Sequence, residues 1–312
     1  MILIAGIPSE APVTLALEAA EEAGIEHMLL DQRRHMACSL RLEFDPFGGW
    51  HGTLSTEDGV VHLSSICGIY ARLMDESYLP DVRDTKQGSP ERERARSFHS
   101  LLHSWLDIAQ GRVANRPQPM ASNMSKTYQA SIIRQCGFQI PQTLVTNDPE
   151  RVVEFAAECA KTGDEIIYKS VSGARSIVQT YEAADRSRLH RIRWCPTQFQ
   201  RKVKGRDIRV HVVGDQCFAV AVESEATDYR YALRQTGNDA ELAAIDIPAL
   251  LARRCAELAL RLNLPFCGID LRNTPSGDYV CFEVNPSPAY SYYEGRTGVP
   301  IARALVHWLA GL

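Results

Sequence analysis

The sequence lacks the segments that carry a chain into or across a membrane. No apolar run reaches the ~18 residues of a spanning helix, and the opening Met1-Ile2-Leu3-Ile4-Ala5-Gly6-Ile7-Pro8 has no basic n-region and breaks too early for a signal peptide. There is no C-x-x-C pair, and the nine cysteines, at 38, 67, 136, 159, 195, 217, 255, 267 and 281, are an odd number in apolar contexts. That pattern excludes a disulfide framework and a zinc ribbon and predicts free thiols in a reducing cytoplasm. Excess charge is missing as well: 34 basic residues face 38 acidic ones, net −4, which offers no field for a polyanion and speaks against nucleic acid as a partner. Gly6 stands alone after the first apolar run and no Walker loop occurs anywhere, so dinucleotide-binding and P-loop readings have no phosphate loop to rest on.

What is there is a folded chain of 312 residues, 45% hydrophobic and 23% charged, long enough for roughly two domains. Residues 1–5 read as a buried strand, Val13, Leu17 and Ala20 as the face of an amphipathic helix, and 27–30 as a second strand, a β-α-β opening. The charged, apolar-poor stretch 81–96 reads as a mobile surface loop. A helix over 98–109 places His99 and His103 on one face, as half of a metal site or as packed histidines. The proline-marked stretch 112–119 is the best candidate for a domain boundary. Beyond it, Ser122 or Asn123 can cap a helix over 126–136 closed by Gly137, and Asp148-Pro149 opens another. Strands are predicted at 166–169 and 197–201, a hairpin at 208–213 and 216–222 about Gly214-Asp215, a helix after Pro248, and two last strands at 266–272 and 278–284.

The sharpest chemical signal lies in that last hairpin. With Ser276-Gly277 as a two-residue turn, Asp270 falls opposite Glu283, and two like charges so placed destabilise a sheet unless something compensates. A divalent cation would, and Asn285, two residues beyond Glu283 on the same face, adds a third hard oxygen suited to magnesium. Two carboxylates on the wet face of an edge hairpin, one of them paired with Arg272, explain the same residues without a cation. Lys169 ends an apolar strand beside the small-residue loop Ser170 to Ser176, which is either a phosphate site or an ordinary turn with a solvated lysine. On the predicted strand from Asp207, positions 207, 209 and 211 share a face; Arg209, with Arg230 and Arg272, is either a clamp for phosphate or carboxylate oxygens or a scatter of surface arginines. Arg72, Arg234, Tyr290, Tyr292 and Tyr293 are open between an acceptor pocket and ordinary packing.

Taken in order, Asn123-Met124-Ser125-Lys126, 137–144, Lys204-Gly205-Arg206-Asp207-Ile208-Arg209, Asp228-Tyr229-Arg230, Gly268-Ile269-Asp270, 282–288 and 297–302 resemble the ATP-grasp superfamily. Within it they resemble RimK-type glutamate ligases and microviridin-type (graspetide) peptide ligases. The resemblance implies an α/β and α+β architecture: a small Rossmann-like pre-ATP-grasp domain over 1–114, then an ATP-grasp fold whose two α+β subdomains, 115–197 and 198–312, clasp ATP. It implies ATP contacts from Lys126, Lys169, a phosphate loop at Ser172, Gly173, Arg175 and Ser176, a hinge strand at Gln198, Phe199 and Gln200 whose backbone reads the adenine, and Asp207. Asp270, Glu283 and Asn285 would hold magnesium, while Arg209, Arg230 and Arg272 would steady the transferred phosphoryl group. The implied reaction is carboxylate activation by ATP followed by attack of an amine or hydroxyl, on a peptide or small-molecule carboxylate, in a cytoplasmic homo-oligomer. The alternative is a non-catalytic ATP-binding grasp protein that acts through a partner.

Overall fold

The computed structural model describes residues 1–171, 178–224, 226, 233 and 236–312. The first 114 residues supply β1 (Ile2–Gly6), β2 (His27–Asp31), β3 (Ser39–Phe44), β4 (Trp50–Thr56), β5 (Gly59–His62), β6 (Gly68–Arg72) and β7 (Arg112–Ala114). A parallel sheet in the order β2-β1-β6-β7 forms from four of these, and β3-β4-β5 make a separate antiparallel sheet. Because strand side chains alternate between faces, Ile2 and Ile4 enter one core and Leu3 and Ala5 another. A strand covered on both faces must be apolar at every position, which is why β1 reads as an unbroken hydrophobic run. The Ala11–Glu22 and Ile301–Ala310 helices cover one face, and the Pro90–Ile108 helix covers the other.

That last helix corrects the loop expected over 81–96. Ser89 caps it by accepting from Arg92 N, Pro90 occupies its first turn, and a single helical turn already spans Pro80–Arg83. Its first turns carry Glu91, Arg92, Glu93 and Arg94 and bury little before Ala95, so hydrophobic spacing alone gives no sign of them. His99 and His103 stack with ring centroids 4.3 Å apart, and among the described residues no His, Cys, Asp and Glu cluster suited to a metal exists, so they are packed histidines.

The second half of the chain builds two further sheets. The smaller has the order β10-β9-β11-β8, from β8 (Thr143–Thr146), β9 (Ile166–Ser170), β10 (Gln179–Thr180) and β11 (Thr197–Arg201). Its core packs Phe199 against Val152, Phe155 and Cys159 of the Pro149–Lys161 helix. The larger has the order β14-β13-β12-β15-β16, from β12 (Arg206–Val213), β13 (Gln216–Glu223), β14 (Glu241–Ile245), β15 (Phe266–Asn273) and β16 (Tyr279–Asn285). Ile208, Val210 and Val212 of its central strand face a core closed by the Ala249–Arg261 helix. The Lys126–Gln135 helix, expected with the 115–197 unit, buries Ile133 in this larger sheet's core, followed there by Cys136 and Phe138. Gly137, at φ +79°, ends it, but its cap is Ser125, which accepts from Tyr128 N, and not Ser122 or Asn123. Gln129 on this helix donates to Val284 O at 2.8 Å and accepts from Val284 N at 3.2 Å, which satisfies the outer edge of β16.

Three histidines make the fold sensitive to acid. Burial holds the His211 imidazole well below its ordinary pKa, with the Arg209 charge adding to it, and burial lowers His99 and His103, helped at His99 by the neighbouring His103. The unfolded chain protonates these groups near pH ~6.5 and the folded chain only at lower pH, so stability is lost as pH falls through that value. We expect the unfolding midpoint to drop between about pH 7 and about pH 5, with each fully suppressed histidine contributing up to ~1.4 kcal/mol per pH unit. Denaturant unfolding at several pH values checks this, and His211→Phe is expected to flatten the slope.

Candidate active site

The β15–β16 hairpin brings Asp270 opposite Glu283, but not by the turn the sequence suggests. The loop is one residue longer: Thr274 N donates to Asp278 O at 2.9 Å, Gly277 N to Thr274 O at 2.9 Å, and Gly277 takes φ +86°. Near the tip, Leu271 therefore pairs with Cys281 and Arg272 with Val280. A β-bulge at Phe282 then absorbs the extra residue, so Asp270 pairs with Glu283, Ile269 with Val284 and Gly268 with Asn285. The bulge leaves Phe282 and Glu283 both half-buried while Cys281 and Val284 enter the core.

Both carboxylates are compensated by cations from other elements. Glu283 Oε2 accepts from Lys126 Nζ at 3.2 Å and from Lys169 Nζ at 3.1 Å. Lys169 stands near the end of β9, half-buried like Ile167 and Tyr168 before it, whereas Lys126 opens a helix at the end where the macrodipole disfavours a cation. A lysine there is costly for the helix and apt for an anion, since its charge adds to the free N–H groups of the first turn. Asn123 Oδ1 accepts from the same ammonium at 3.0 Å and holds it in place.

Asp270 accepts from Arg209 Nη1 at 2.6 Å, and the guanidinium lies 5.8 Å from the Tyr293 ring centroid. Arg209 is 5% exposed, and the residue that makes room for it is Gly268: a Cβ there would lie 2.0 Å from Nη2 and 2.4 Å from Cζ. His211 completes this floor, its ring 4.9 Å from that of Tyr293. Arg272 is spent differently. It holds Asp207 with Nε at 2.8 Å and Nη2 at 2.7 Å, donates to Val203 O at 2.7 Å, and lies 5.3 Å from the Phe282 ring centroid. Asp207 and Arg272 thus form one bidentate pair beside the carboxylates.

Lys126, Lys169, Gln198, Gln200 and Phe282 line one cavity of about 1030 Å³ between the smaller sheet, the Lys126–Gln135 helix and β16. β11 is paired on both sides, with β9 and with β8, so ladder bonds occupy its backbone. What it turns to the cavity is the Gln198 and Gln200 side chains, while Phe199 enters the opposite core. Ser172, Gly173, Arg175, Ser176, Asp228, Tyr229, Arg230 and Arg234 lie outside the described residues.

A magnesium ion fits the donors present. Asp270, Glu283 and Asn285 offer carboxylate and amide oxygens only, and no sulfur or imidazole that would favour zinc. Among the described residues no three His, Cys, Asp or Glu groups converge on a point, so a cation here would take few protein ligands and complete its shell with water and phosphate oxygens. Gly268 stands in the sequence only as part of the Gly268-Ile269-Asp270 stretch, with no sign of its role, and the sequence singles out neither of two further participants, Gln129 and the buried Asn115, which donates to Pro286 O at 2.6 Å just after Asn285. Tyr290, by contrast, is a core residue, with its hydroxyl on Pro12 O.

The profile of the family described as RimK-like ATP-grasp domain matches residues 121–309. N-acetylaspartylglutamate synthase A of Homo sapiens is 25% identical over 245 residues, 75% of this chain and 60% of that protein. The ribosomal protein bS6--L-glutamate ligase of Escherichia fergusonii is 28% identical over 209 residues, 62% of this chain and 66% of that protein. The chain thus matches less than two thirds of the length of either relative. Among solved structures, the ATP-grasp ligase PsnB, complexed with a phosphomimetic variant of its minimal precursor, Mg and ADP, superposes with TM-score 0.77 at 26% identity, covering 99% of this chain and 97% of that one. The macrocyclase MdnC of Microcystis aeruginosa, bound with precursor peptide MdnA, gives TM-score 0.81 at 22% identity over 100% of this chain and 99% of that one, a likeness of fold.

Gly268→Ala is expected to expel the Arg209 guanidinium from its seat and cost about 1–3 kcal/mol by overpacking. Gly295→Ala, where a Cβ meets nothing within 4 Å, serves as the control and is expected to be neutral or slightly stabilising. Denaturant unfolding of both variants checks the difference.

Proposed function

The chain belongs to the RimK-like ATP-grasp family, and from that premise we propose that it is an ATP- and magnesium-dependent ligase forming an amide or ester bond on a peptide or amino-acid-like carboxylate. The observation that carries this reading is Glu283, which faces Asp270 across the hairpin and is held by both Lys126 and Lys169. Two lysines from separate elements that line one cavity and converge on one of two facing carboxylates suit a polyphosphate with its divalent cation. Magnesium bound to Asp270, Glu283 and Asn285 would neutralise charge on the phosphate oxygens.

In the proposed reaction the substrate carboxylate attacks the γ-phosphorus, the bond to the β-bridging oxygen breaks, and ADP leaves. The resulting acyl phosphate is then attacked by an amine or hydroxyl, which loses its proton as inorganic phosphate departs. Lys126 and Lys169 exchange Glu283 for phosphate oxygens and hold them in line. Arg209, fixed by Asp270, Tyr293 and the space over Gly268, presents positive charge close to the metal carboxylates, and Arg230 is assigned to the acyl phosphate. Gln198 and Gln200 face the base from β11, since amide side chains can pair with the edge of adenine. None of these groups forms a covalent bond; they lower the barrier by positioning and charge neutralisation. Named relatives that act on glutamate or on precursor peptides support an acidic or peptide substrate for this chain.

The test is calorimetric titration of the protein with ADP or a non-hydrolysable ATP analogue, with and without magnesium, followed by phosphate release with pools of acidic peptides. Magnesium is expected to tighten nucleotide binding in the wild type. Asp270→Asn and Glu283→Gln are expected to lose that enhancement and to lower turnover by about a hundredfold or more while the chain stays folded. Full phosphate release in both variants would remove the reading; magnesium-dependent binding without release under any carboxylate would point to the non-catalytic alternative.

A further inference from the structure

The loop Asn285-Pro286-Ser287-Pro288 after β16 cannot satisfy its own backbone. Pro286 and Pro288 have no N–H to give, and the Ser287 N–H is committed to Asn285 Oδ1 at 2.9 Å. The carbonyls of Pro286, Ser287 and Pro288 therefore need donors from outside. Two side chains far off in sequence provide them. Asn115, 2% exposed, takes Pro286 O at 2.6 Å. Arg72, at the C-terminal end of β6 in the first sheet, directs Nη1 to Ser287 O at 3.3 Å, Ser287 Oγ at 2.9 Å and Pro288 O at 3.1 Å. Its Nε is held by Glu10 Oε2 at 3.0 Å, on the segment that follows β1.

We infer that Arg72 is a positioning residue for the cation ligand Asn285, through which docking of the first sheet sets the magnesium affinity of the site. The inference rests on the magnesium reading above. Arg72 fixes the two peptide planes that follow Ser287 together with its hydroxyl, while Asn115 holds Pro286 O in the plane that carries the Ser287 N–H; between them they restrict rotation about Ser287 and so the direction of that N–H. That N–H occupies one lone pair of Asn285 Oδ1 and restricts the amide to one orientation, leaving the second lone pair for a cation. Partners of this kind behind a metal ligand are typically worth ~10–100-fold in metal affinity. Glu10 in turn keeps the guanidinium from turning to solvent. Neither residue touches the carboxylates, so loss of Arg72 acts on the cation and spares the nucleotide's other contacts.

The full chain is titrated with Mn2+ or Mg2+ at saturating ADP, and separately with ADP in the absence of metal. Arg72→Gln is expected to weaken the cation by about tenfold, to leave metal-free ADP affinity unchanged, and to recover phosphate release when magnesium is raised. Arg72→Lys, a single ammonium that cannot serve the same acceptors as a planar fork, is expected to fall between. Unchanged cation affinity in folded Arg72→Gln protein overturns the inference, as does an equal loss of metal-free ADP binding, which would mark a general structural role. Should Arg72→Gln fail to fold, Glu10→Ala decides: it keeps the loop contacts, removes the acceptor that anchors the guanidinium, and is expected to weaken the cation by about threefold, whereas no change overturns the inference. A wild-type chain that binds neither ADP nor cation defeats the proposed function itself and this inference with it, an outcome the variants do not mimic.

Discussion

Two carboxylates facing each other across one hairpin set the terms for everything around them. Asp270 and Glu283 would push the strands apart if left alone, and the fold answers with Arg209 from β12, Lys126 from a helix N-terminus and Lys169 from β9. Each cation comes from a different element, so the charge balance is also a set of tethers. Glu283 ties the smaller sheet to the Lys126–Gln135 helix across the cavity, with a contact that a phosphate can replace oxygen for oxygen. These groups are partly open to water, 19% for the Glu283 and Lys169 side chains and 30% for Lys126, so the tether is weak enough to exchange.

Much of the frame is legible in the sequence because it rests on short-range periodicity. Alternation along residues 207–213, an apolar run at β1 and helical spacing after Pro248 all correspond to observed elements. The start of the Pro90–Ile108 helix escapes for the same reason in reverse, since its first turns are exposed and carry no apolar stripe. The hairpin is the instructive case. A two-residue turn and a three-residue turn followed by a bulge put Asp270 opposite the same partner, so facing residues inferred from the wrong turn still meet. No pattern in the sequence announces the bulge at Phe282, because its cause lies in packing: Cys281 and Val284 both go to the core and one residue between them has to yield.

The contacts that finish the site are the least legible. Arg72 meets Ser287 across 215 residues and Gln129 meets Val284 across 155, separations at which spacing carries no information. Gly268 is visible as a glycine, but its purpose belongs to Arg209 on the next strand, whose guanidinium fills the volume that a side chain at 268 would need. Within the smaller sheet, Gln198 and Gln200 alternate with Phe199 as any strand would, and only the pairing on both sides shows that their side chains, rather than their backbone, face the cavity.

The Ile301–Ala310 helix lays Leu305, Val306 and Leu309 into the same core as Ile2, Ile4 and Val13. Chain order and spatial order therefore disagree. During synthesis on the ribosome, the first sheet emerges with its Ile2 and Ile4 face covered by the Ala11–Glu22 helix alone, and it stays half-covered until residues 301–310 follow. Until then the nascent protein displays part of that face, a natural target for holdase chaperones. A ribosome that stalls short of residue 301 releases a chain with every strand of that sheet and only one of the two helices that cover this face.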